Sequence, residues 1–226
     1  MAGQPDASAA GTIDVGGDLT VNRMGFGAMR ITGQGIWGPP ANREQAQAAL
    51  RRAVELGVNF IDTADSYGPD VSETLIADTL YPYPAELVIA TKGGLVRPGP
   101  GRWQPDGRPG HLREAQRLTP VVSVQNRYNL ADRSSEPIVD LCDQEAIAFL
   151  PWAPIQNADR LTPVLTAARR HGVSIRQIAL AWLLTRSAQI LPIPGSGSPE
   201  HVAENIAAAS IQLSSAEENA ILDVAG

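Results

Sequence analysis

With 226 residues, 43% of them hydrophobic, the chain is long enough for one sizeable core and has the usual size of a single α/β barrel domain. Its formal net charge of −6 disfavours nucleic acid or an anionic membrane as a main partner, and its single cysteine, Cys142, excludes an internal disulfide. With no secretory-type leader, no apolar stretch long enough to span a bilayer and no metal-site spacing, the sequence predicts a soluble cytoplasmic protein without a bound metal.

The first half of the chain predicts a tail, a hairpin and then strands that alternate with helices. Residues 1–11 are small and polar, so we interpret them as a disordered tail in front of a single domain over residues 12–226. Gly16-Gly17-Asp18 separates the β-rich runs Thr12–Val15 and Leu19–Asn22 and indicates a hairpin. The elements predicted next are a strand over Met24–Met29, a helix over Arg43–Leu56 with Asn42 as N-cap and Gly57 as its stop, a strand over Asn59–Ala64, a helix over Ser72–Leu80, a strand over Leu87–Lys92, a Gly/Pro-rich loop over Gly93–Gly110 and a helix over His111–Leu118.

The second half continues the alternation of strands and helices. The predicted elements are a strand over Val121–Gln125, a helix over Ser135–Glu145, a strand over Ala148–Ala153, helices over Leu161–His171 and Ser174–Arg186, a strand over Gln189–Ile193, and helices over Pro199–Ala208 and Ser214–Val224. This order favours a parallel sheet covered by helices. The six strands after the hairpin fall short of the eight of a TIM barrel, so an open doubly wound sheet competes on equal terms. The segment Gly25–Arg30 begins like a dinucleotide fingerprint but lacks its third glycine, which is weak support for that alternative.

Three ionisable residues lie at or just after the ends of neighbouring strands. Asp62 lies near the end of one predicted strand, Tyr67 follows it in the loop, and Lys92 ends the next strand. At the carboxyl ends of barrel strands such groups are typical of an active site. We expect Lys92 to lower the pKa of the Tyr67 phenol, which would make the phenol a proton donor for a developing alkoxide. A buried Asp–Lys ion pair beside a surface tyrosine is an equally good interpretation of these residues alone.

Five segments, in order along the chain, resemble signature segments of the aldo-keto reductase family. They are Asp62-Thr63-Ala64-Asp65-Ser66-Tyr67-Gly68, Ala90-Thr91-Lys92-Gly93-Gly94, Val124-Gln125-Asn126-Arg127-Tyr128-Asn129, Pro151-Trp152-Ala153-Pro154, and Ile193-Pro194-Gly195-Ser196 followed by Glu204-Asn205. On these matches the chain is identified as a member of that family. The resemblance implies a (β/α)8 barrel of the TIM type, closed at its bottom by the N-terminal hairpin, and NADP(H)-dependent reduction of small aldehydes or ketones.

The resemblance also implies which residues form the site. Tyr67 would be the proton donor, tuned by Lys92 and Asp62. The cofactor would be held by Gln125, Trp152, Pro194, Gly195, Ser196, His201, Glu204 and Asn205. For each of the main candidates a structural interpretation stays open: Trp152 as a rim tryptophan, Gln125 as a polar residue at the barrel mouth, and the segment around Ser196 as a plain helix start.

The sequence departs from the family between residues 115 and 116. No segment corresponds to strand four with its catalytic histidine or to strand five with its Ser-Asn pair. At roughly 30 residues per βα repeat, the internal deletion covers on the order of 50–60 residues. We therefore predict an incomplete barrel of about six strands, whose open edges allow an oligomer. His111, at the start of a helix, is interpreted as a solvated residue and not as a replacement for the missing histidine.

Two further departures concern the cofactor and the activity. Gly195 and His201 stand where many relatives carry Lys and Arg, so the charge clamp on the 2′-phosphate is weakened and NAD(H) remains an alternative cofactor. Because the histidine is missing, two other hypotheses stand beside a carbonyl reductase: a catalytically impaired nicotinamide-nucleotide-binding protein, and a truncated, non-functional remnant. The loop Gly93–Gly110, with Trp103, is the expected substrate-side loop.

Overall fold

The computed structural model describes residues 4–92, 95–105 and 122–224. Its strands are β1 (Thr12–Val15), β2 (Leu19–Asn22), β3 (Phe26–Gly27), β4 (Phe60–Asp62), β5 (Val88–Ala90), β6 (Leu95–Gly99), β7 (Arg102–Pro105), β8 (Ser123–Arg127) and β9 (Ala148–Trp152). Its helices are α1 (Arg43–Glu55), α2 (Val71–Leu80), α3 (Glu136–Glu145), α4 (Thr162–His171), α5 (Ile175–Arg186), α6 (Pro199–Ala207) and α7 (Ser215–Val224). None of these helices is both long and apolar enough to cross a membrane.

The central strands form two parallel groups that are joined on one side. β4 lies between β3 and β5, and β8 pairs with β9. The segment after α5 joins the groups, because Phe149 in β9 forms a parallel bridge with Ile190, and the Gly25 N–H donates to the Pro192 carbonyl at 3.0 Å. On the other side, no strand of the described part of the chain pairs with the outer edge of β5 or of β8. Within the described residues, the two groups of strands are therefore joined on one side only.

The N-terminal hairpin packs against both groups of strands. β1 and β2 are antiparallel, and their inward side chains Ile13 and Val21 are buried. They share one apolar cluster with Phe60, Leu150 and Ile193, which come from three different barrel segments. The predicted hairpin is therefore confirmed, and it closes one end of the barrel interior.

The larger apolar core lies between the sheet and the outer helices. Helix α5 is its centre, with every residue from Ile178 to Leu183 buried. Trp182 of this helix stacks on Tyr128 with ring centroids 5.8 Å apart. The helix begins with a capping box, in which the Ser174 hydroxyl accepts from the Gln177 N–H and the Gln177 side chain accepts from the Ser174 N–H.

Several predicted elements differ from the structure. Residues 4–11 do not form part of a disordered tail: Ala7 is fully buried, and its N–H donates to the Leu56 carbonyl at 2.8 Å. The strand predicted over Met24–Met29 is shorter, because the chain enters a 3₁₀ helix directly after Gly27. The strand predicted over Gln189–Ile193 is reduced to a bridge, since Pro192 and Pro194 lack the N–H groups that a ladder needs.

The segment predicted as a Gly/Pro-rich loop after β5 contains the hairpin β6–β7. This pairing was not predicted because Pro98, Gly99 and Pro100 interrupt the alternation expected of strands, whereas the structure accommodates them at the irregular end of the hairpin. The helix predicted over His111–Leu118 and the proposed deletion point both lie outside the described residues.

Candidate active site

Asp62 and Lys92 form a close ion pair at the carboxyl ends of two neighbouring strands. β4 and β5 pair with Asp62 opposite Ala90, and Lys92 follows two residues later. The Lys92 Nζ donates to Asp62 Oδ2 at 2.7 Å and to the Thr63 carbonyl at 2.9 Å. Asp62 is only 6% exposed. Burial raises the pKa of this carboxyl above its usual value, while the Lys92 charge opposes the shift and favours the ionised form.

Tyr67 lies beside this pair in the turn after β4. The Tyr67 N–H donates to the Ala64 carbonyl at 3.1 Å, and the Lys92 Nζ lies 5.0 Å from the centroid of the phenol ring. Tyr67 is buried, and burial raises the pKa of its hydroxyl; the Lys92 charge lowers that pKa, and the Asp62 charge raises it. The prediction that Lys92 brings the pKa of Tyr67 below its usual value is therefore wrong in net direction. Burial dominates, and the phenol keeps its proton at neutral pH.

Gln125 reaches the same cluster from the other group of strands. It lies in the middle of β8, opposite Leu150, and its Nε2 donates to Asp62 Oδ1 at 3.3 Å. The resemblance assigned Gln125 to the cofactor, and contact with the carboxylate was not foreseen. Both oxygens of Asp62 thus have a donor, one from Lys92 and one from Gln125.

A cavity of about 730 Å³ opens above this cluster and collects most of the predicted site residues. Asp62, Tyr67 and Lys92 line it together with four of the predicted cofactor residues, which are Gln125, Trp152, Pro194 and Gly195. This volume lies within the usual range for small-molecule sites. The cavity therefore joins the candidate catalytic groups to one end of the candidate cofactor site.

Trp152 is held at the rim of the cavity by a basic side chain. It ends β9 and is 47% exposed, with the Arg127 guanidinium 5.5 Å from the centroid of its ring. Arg127 is fixed in turn by Asp132 Oδ2, 3.0 Å from its Nε, and by Gln156 Oε1, which accepts from its Nη2 at 3.2 Å. This support keeps a large flat surface available at the barrel mouth.

The remaining predicted cofactor residues lie next to the cavity but do not line it. Ser196 precedes helix α6, and its Oγ accepts from the Ser198 N–H at 3.1 Å. His201, Glu204 and Asn205 lie on α6 itself: His201 is exposed, Glu204 is half-buried and Asn205 is buried.

Two features of the cavity were missed by sequence reasoning. Arg30 lines it as an exposed arginine directly after Met29. Gly27 and Gly195 bring two backbones into close approach, since a Cβ on Gly195 would lie 2.1 Å from the Gly27 carbonyl oxygen. The near-fingerprint Gly25–Arg30 was the available clue, because its glycines mark a close backbone contact and its arginine lies in the short 3₁₀ helix directly after the strand.

Within residues 4–92, 95–105 and 122–224, no three His, Cys, Asp or Glu side chains lie close enough together to hold a metal ion.

Comparison with known proteins gives a consistent picture. The aldo/keto reductase family model matches residues 23–118 and 156–225. An uncharacterized oxidoreductase of Schizosaccharomyces pombe is 43% identical over 93% of this chain and 88% of its own length. Pyridoxine 4-dehydrogenase of Escherichia coli is 32% identical over 88% of this chain and 93% of its own length. The crystal structure of an aldo-keto reductase from Klebsiella pneumoniae in complex with NADPH superposes with a TM-score of 0.72 at 21% identity, covering 94% of each chain.

The same comparisons bear on the internal deletion. The two sequence alignments run over 272 and 265 residues, longer than the 226 residues of this chain, so the relatives contain an internal stretch without a counterpart here. The family match is also interrupted, between residues 118 and 156. These findings agree with the predicted deletion, and the prediction of an incomplete TIM-type α/β barrel is confirmed.

Proposed function

Because the chain belongs to the aldo/keto reductase family of oxidoreductases, we propose that it reduces aldehydes or ketones with NADP(H) and that Tyr67 donates the proton. The observation that carries the proposal is the position of Lys92, 2.7 Å from Asp62 Oδ2 and 5.0 Å from the Tyr67 ring centroid, at the floor of a cavity. A buried carboxylate, an ammonium and a phenol in this order form a proton-donating unit.

The chemistry of the cavity walls suits a nicotinamide nucleotide. Trp152 presents a flat aromatic surface, and the close approach of Gly27 and Gly195 brings backbone to the cavity wall with no side chain in between. Arg30 supplies an exposed positive charge at the same wall, which suits a phosphate group. Ser196, just before helix α6, and His201, Glu204 and Asn205, on that helix, are the residues to which the family resemblance assigns the remainder of the cofactor. The Klebsiella pneumoniae relative of the same fold was crystallised with NADPH, which further supports this cofactor.

A bound reduced nicotinamide supplies the hydride that adds to the carbonyl carbon. The side chains of this chain supply the remainder of the reaction. The Tyr67 hydroxyl donates its proton to the carbonyl oxygen as negative charge develops there, so that the C=O group becomes an alcohol. The Lys92 ammonium stabilises the phenolate that remains, and Asp62 holds Lys92 in place.

Gln125 has two competing partners in this scheme. Its amide can pair with a carboxamide through both a donor and an acceptor, which is the role that the family resemblance implies. In the structure the same amide donates to Asp62. We propose that Gln125 gives up this contact when it holds the nicotinamide, so that cofactor binding and the Asp62 carboxylate are coupled through one side chain.

The experiment that tests the proposal is NADPH oxidation by the purified chain with a panel of aldehydes, repeated with Tyr67→Phe. Pyridoxal belongs in the panel because one relative is a pyridoxine 4-dehydrogenase. We expect turnover that falls by roughly 10²–10⁴-fold in Tyr67→Phe, with NADPH binding retained. Equal turnover in the two proteins would exclude Tyr67 as the proton donor.

A second candidate function is favoured by one specific observation. Among the described residues that line the cavity there is no histidine, although the family uses one beside the tyrosine. A nicotinamide-nucleotide-binding protein with impaired catalysis would show a thermal shift with NADPH and no turnover with any aldehyde. A shift of several degrees is expected at 100 times the dissociation constant, where binding stabilises the fold by about 2.7 kcal/mol.

A further inference from the structure

Arg97 is a buried arginine that donates four hydrogen bonds to backbone carbonyls of the described residues. It lies in β6 of the hairpin after β5 and is 9% exposed. Its Nε donates to the Arg102 carbonyl at 3.0 Å, its Nη1 to the Ile36 and Ser66 carbonyls at 2.9 and 3.3 Å, and its Nη2 to the Gly35 carbonyl at 3.1 Å. One guanidinium therefore joins three segments of the chain that lie far apart in sequence.

Two of these three segments border the candidate active site, and the third is bonded to one of them. The Arg102 carbonyl belongs to the hairpin that carries Trp103, and Trp103 lines the cavity. The Ser66 carbonyl belongs to the turn that presents Tyr67. The third segment is the loop over residues 33–38, which is tied to the same turn because the Gly38 N–H donates to the Gly68 carbonyl at 2.6 Å.

The loop over residues 33–38 needs an external partner. Ile36 has a φ of +57°, a left-handed conformation that is strained for a β-branched side chain. Strain of this kind persists only where the surroundings hold it. Arg97 bonds the carbonyls of Ile36 and of the preceding Gly35, so the arginine is one of the contacts that hold this conformation, together with the bond from the Gly38 N–H to the Gly68 carbonyl.

Arg97 also supports two aromatic rings. Its Cζ lies 3.7 Å from the centroid of the Trp103 ring and 5.6 Å from that of Trp37. A guanidinium this close to an indole stacks on it, which fixes the ring plane. Trp103 is still 38% exposed and lines the cavity. Its indole is therefore braced from the protein side and available from the cavity side.

We propose that Arg97 is a positioning residue that fixes Trp103 and the Tyr67 turn as one rigid wall, and that this wall selects carbonyl substrates carrying a planar ring. The substrate class rests on the proposed function, whereas the positioning role of Arg97 does not. A flat ring gains from a stacking surface whose orientation is fixed in advance, because less freedom is lost on binding. A short aliphatic aldehyde offers no such surface.

The test compares two substitutions of Arg97 with a matched control. Arg97→Met keeps a long side chain without donors, and Arg97→Lys keeps the charge but lacks the planar fork that reaches several carbonyls. Arg102→Met is the control, since the side chain of Arg102 is exposed on the same hairpin and only its carbonyl contacts Arg97. Each variant is assayed for its KM with benzaldehyde, its KM with propanal and its affinity for NADPH.

We expect both Arg97 variants to raise the KM for benzaldehyde about tenfold, equivalent to 1.4 kcal/mol. The KM for propanal and the affinity for NADPH should change less than about twofold, and Arg102→Met should match the wild type. An unchanged ratio of the two KM values in Arg97→Met would overturn the proposal. So would a loss of NADPH affinity in parallel with the KM, since it would indicate general damage.

A second measurement separates this proposal from the proposed function. If the chain reduces no aldehyde, the proposed function fails, but quenching of tryptophan fluorescence by para-nitrobenzoate still reports ring binding. Amide hydrogen exchange of residues 33–38 and 95–105 should then be faster in both Arg97 variants than in Arg102→Met, with weaker para-nitrobenzoate binding. Equal amide exchange and equal para-nitrobenzoate affinity in all three variants would refute the proposal that Arg97 fixes Trp103 and the Tyr67 turn.

Discussion

The Nε2 of Gln125 donates to Asp62 Oδ1 at 3.3 Å, and this contact links β8 to β4 across the open side of the barrel. A donor to a carboxylate stabilises its ionised form, so Gln125 holds the pKa of Asp62 below the value that burial alone would produce. The amide is thus part of the electrostatics of the candidate catalytic cluster.

The first prediction concerns the pH dependence of Gln125→Leu. Removing the amide raises the pKa of Asp62, so the acidic limb of kcat/KM should move to higher pH. The measurement is a pH profile of aldehyde reduction. Gln156→Leu is the comparison, because the Gln156 amide contacts Arg127 and not Asp62. If the acidic limb of kcat/KM lies at the same pH in Gln125→Leu as in the wild type, ionisation of Asp62 does not control that limb.

The second prediction concerns Lys92→Met, which leaves Asp62 buried without its counter-ion. Because Asp62 is almost fully buried and Lys92 only partly so, we expect a loss of about 2–4 kcal/mol in the free energy of unfolding at neutral pH. Urea denaturation measures this change. The surface pair Arg43–Asp78 provides the contrast, since Arg43→Met should cost less than about 1 kcal/mol. Similar losses in the two variants would show that burial of the Asp62–Lys92 pair does not increase its contribution to the free energy of unfolding.

The third prediction concerns stability at alkaline pH. The pKa of Tyr67 in the folded chain is raised above its usual value of 10.0. Between these two values the unfolded chain loses the phenolic proton while the folded chain keeps it, so this contribution to stability is present below pH 10 and is lost as the pH rises. Tyr67→Phe should therefore lose stability less steeply than wild type above pH 10, by up to about 1.4 kcal/mol per pH unit. Parallel curves in urea denaturation would contradict the raised pKa.

The fourth prediction concerns Arg30. If it contacts a cofactor phosphate, Arg30→Ala should weaken NADPH binding about tenfold, or 1.4 kcal/mol. Titration with both nucleotides locates the contact: an equal loss for NADPH and NADH indicates the pyrophosphate, and a loss for NADPH alone indicates the 2′-phosphate. Arg51→Ala, on the exposed face of α1, is the control. Unchanged binding of both nucleotides would remove Arg30 from the cofactor site.

Part of the fold and of the site could be predicted from the sequence, because it depends on residues at the ends of strands and helices. Asp62 and Lys92 end neighbouring strands, and parallel strands place their carboxyl ends at one edge, so their meeting could be expected. The N-cap at Asn42 was likewise predicted, and in the structure its side chain accepts from the Gln45 N–H.

Other features depend on tertiary contacts that carry no sequence pattern. Arg97 bonds to carbonyls of Gly35, Ile36 and Ser66, and a carbonyl is present at every residue, so nothing marked these partners. The net pKa shift of Tyr67 depends on its burial, which the spacing to Lys92 does not reveal. The contact of Gln125 with Asp62 arises between strands that the barrel brings together.

The segment over residues 189–193 connects the two groups of parallel strands in the sheet. In the sheet layer, the half that carries Tyr67 is linked to the half that carries Trp152 by a few hydrogen bonds around Ile190 and Pro192, and the two prolines prevent a longer ladder. On the opposite side the halves meet through Gln125 and Asp62. Among the described residues, few bonds in the sheet layer therefore resist a displacement of one half relative to the other, and one of them, the Gln125–Asp62 contact, lies at the candidate active site.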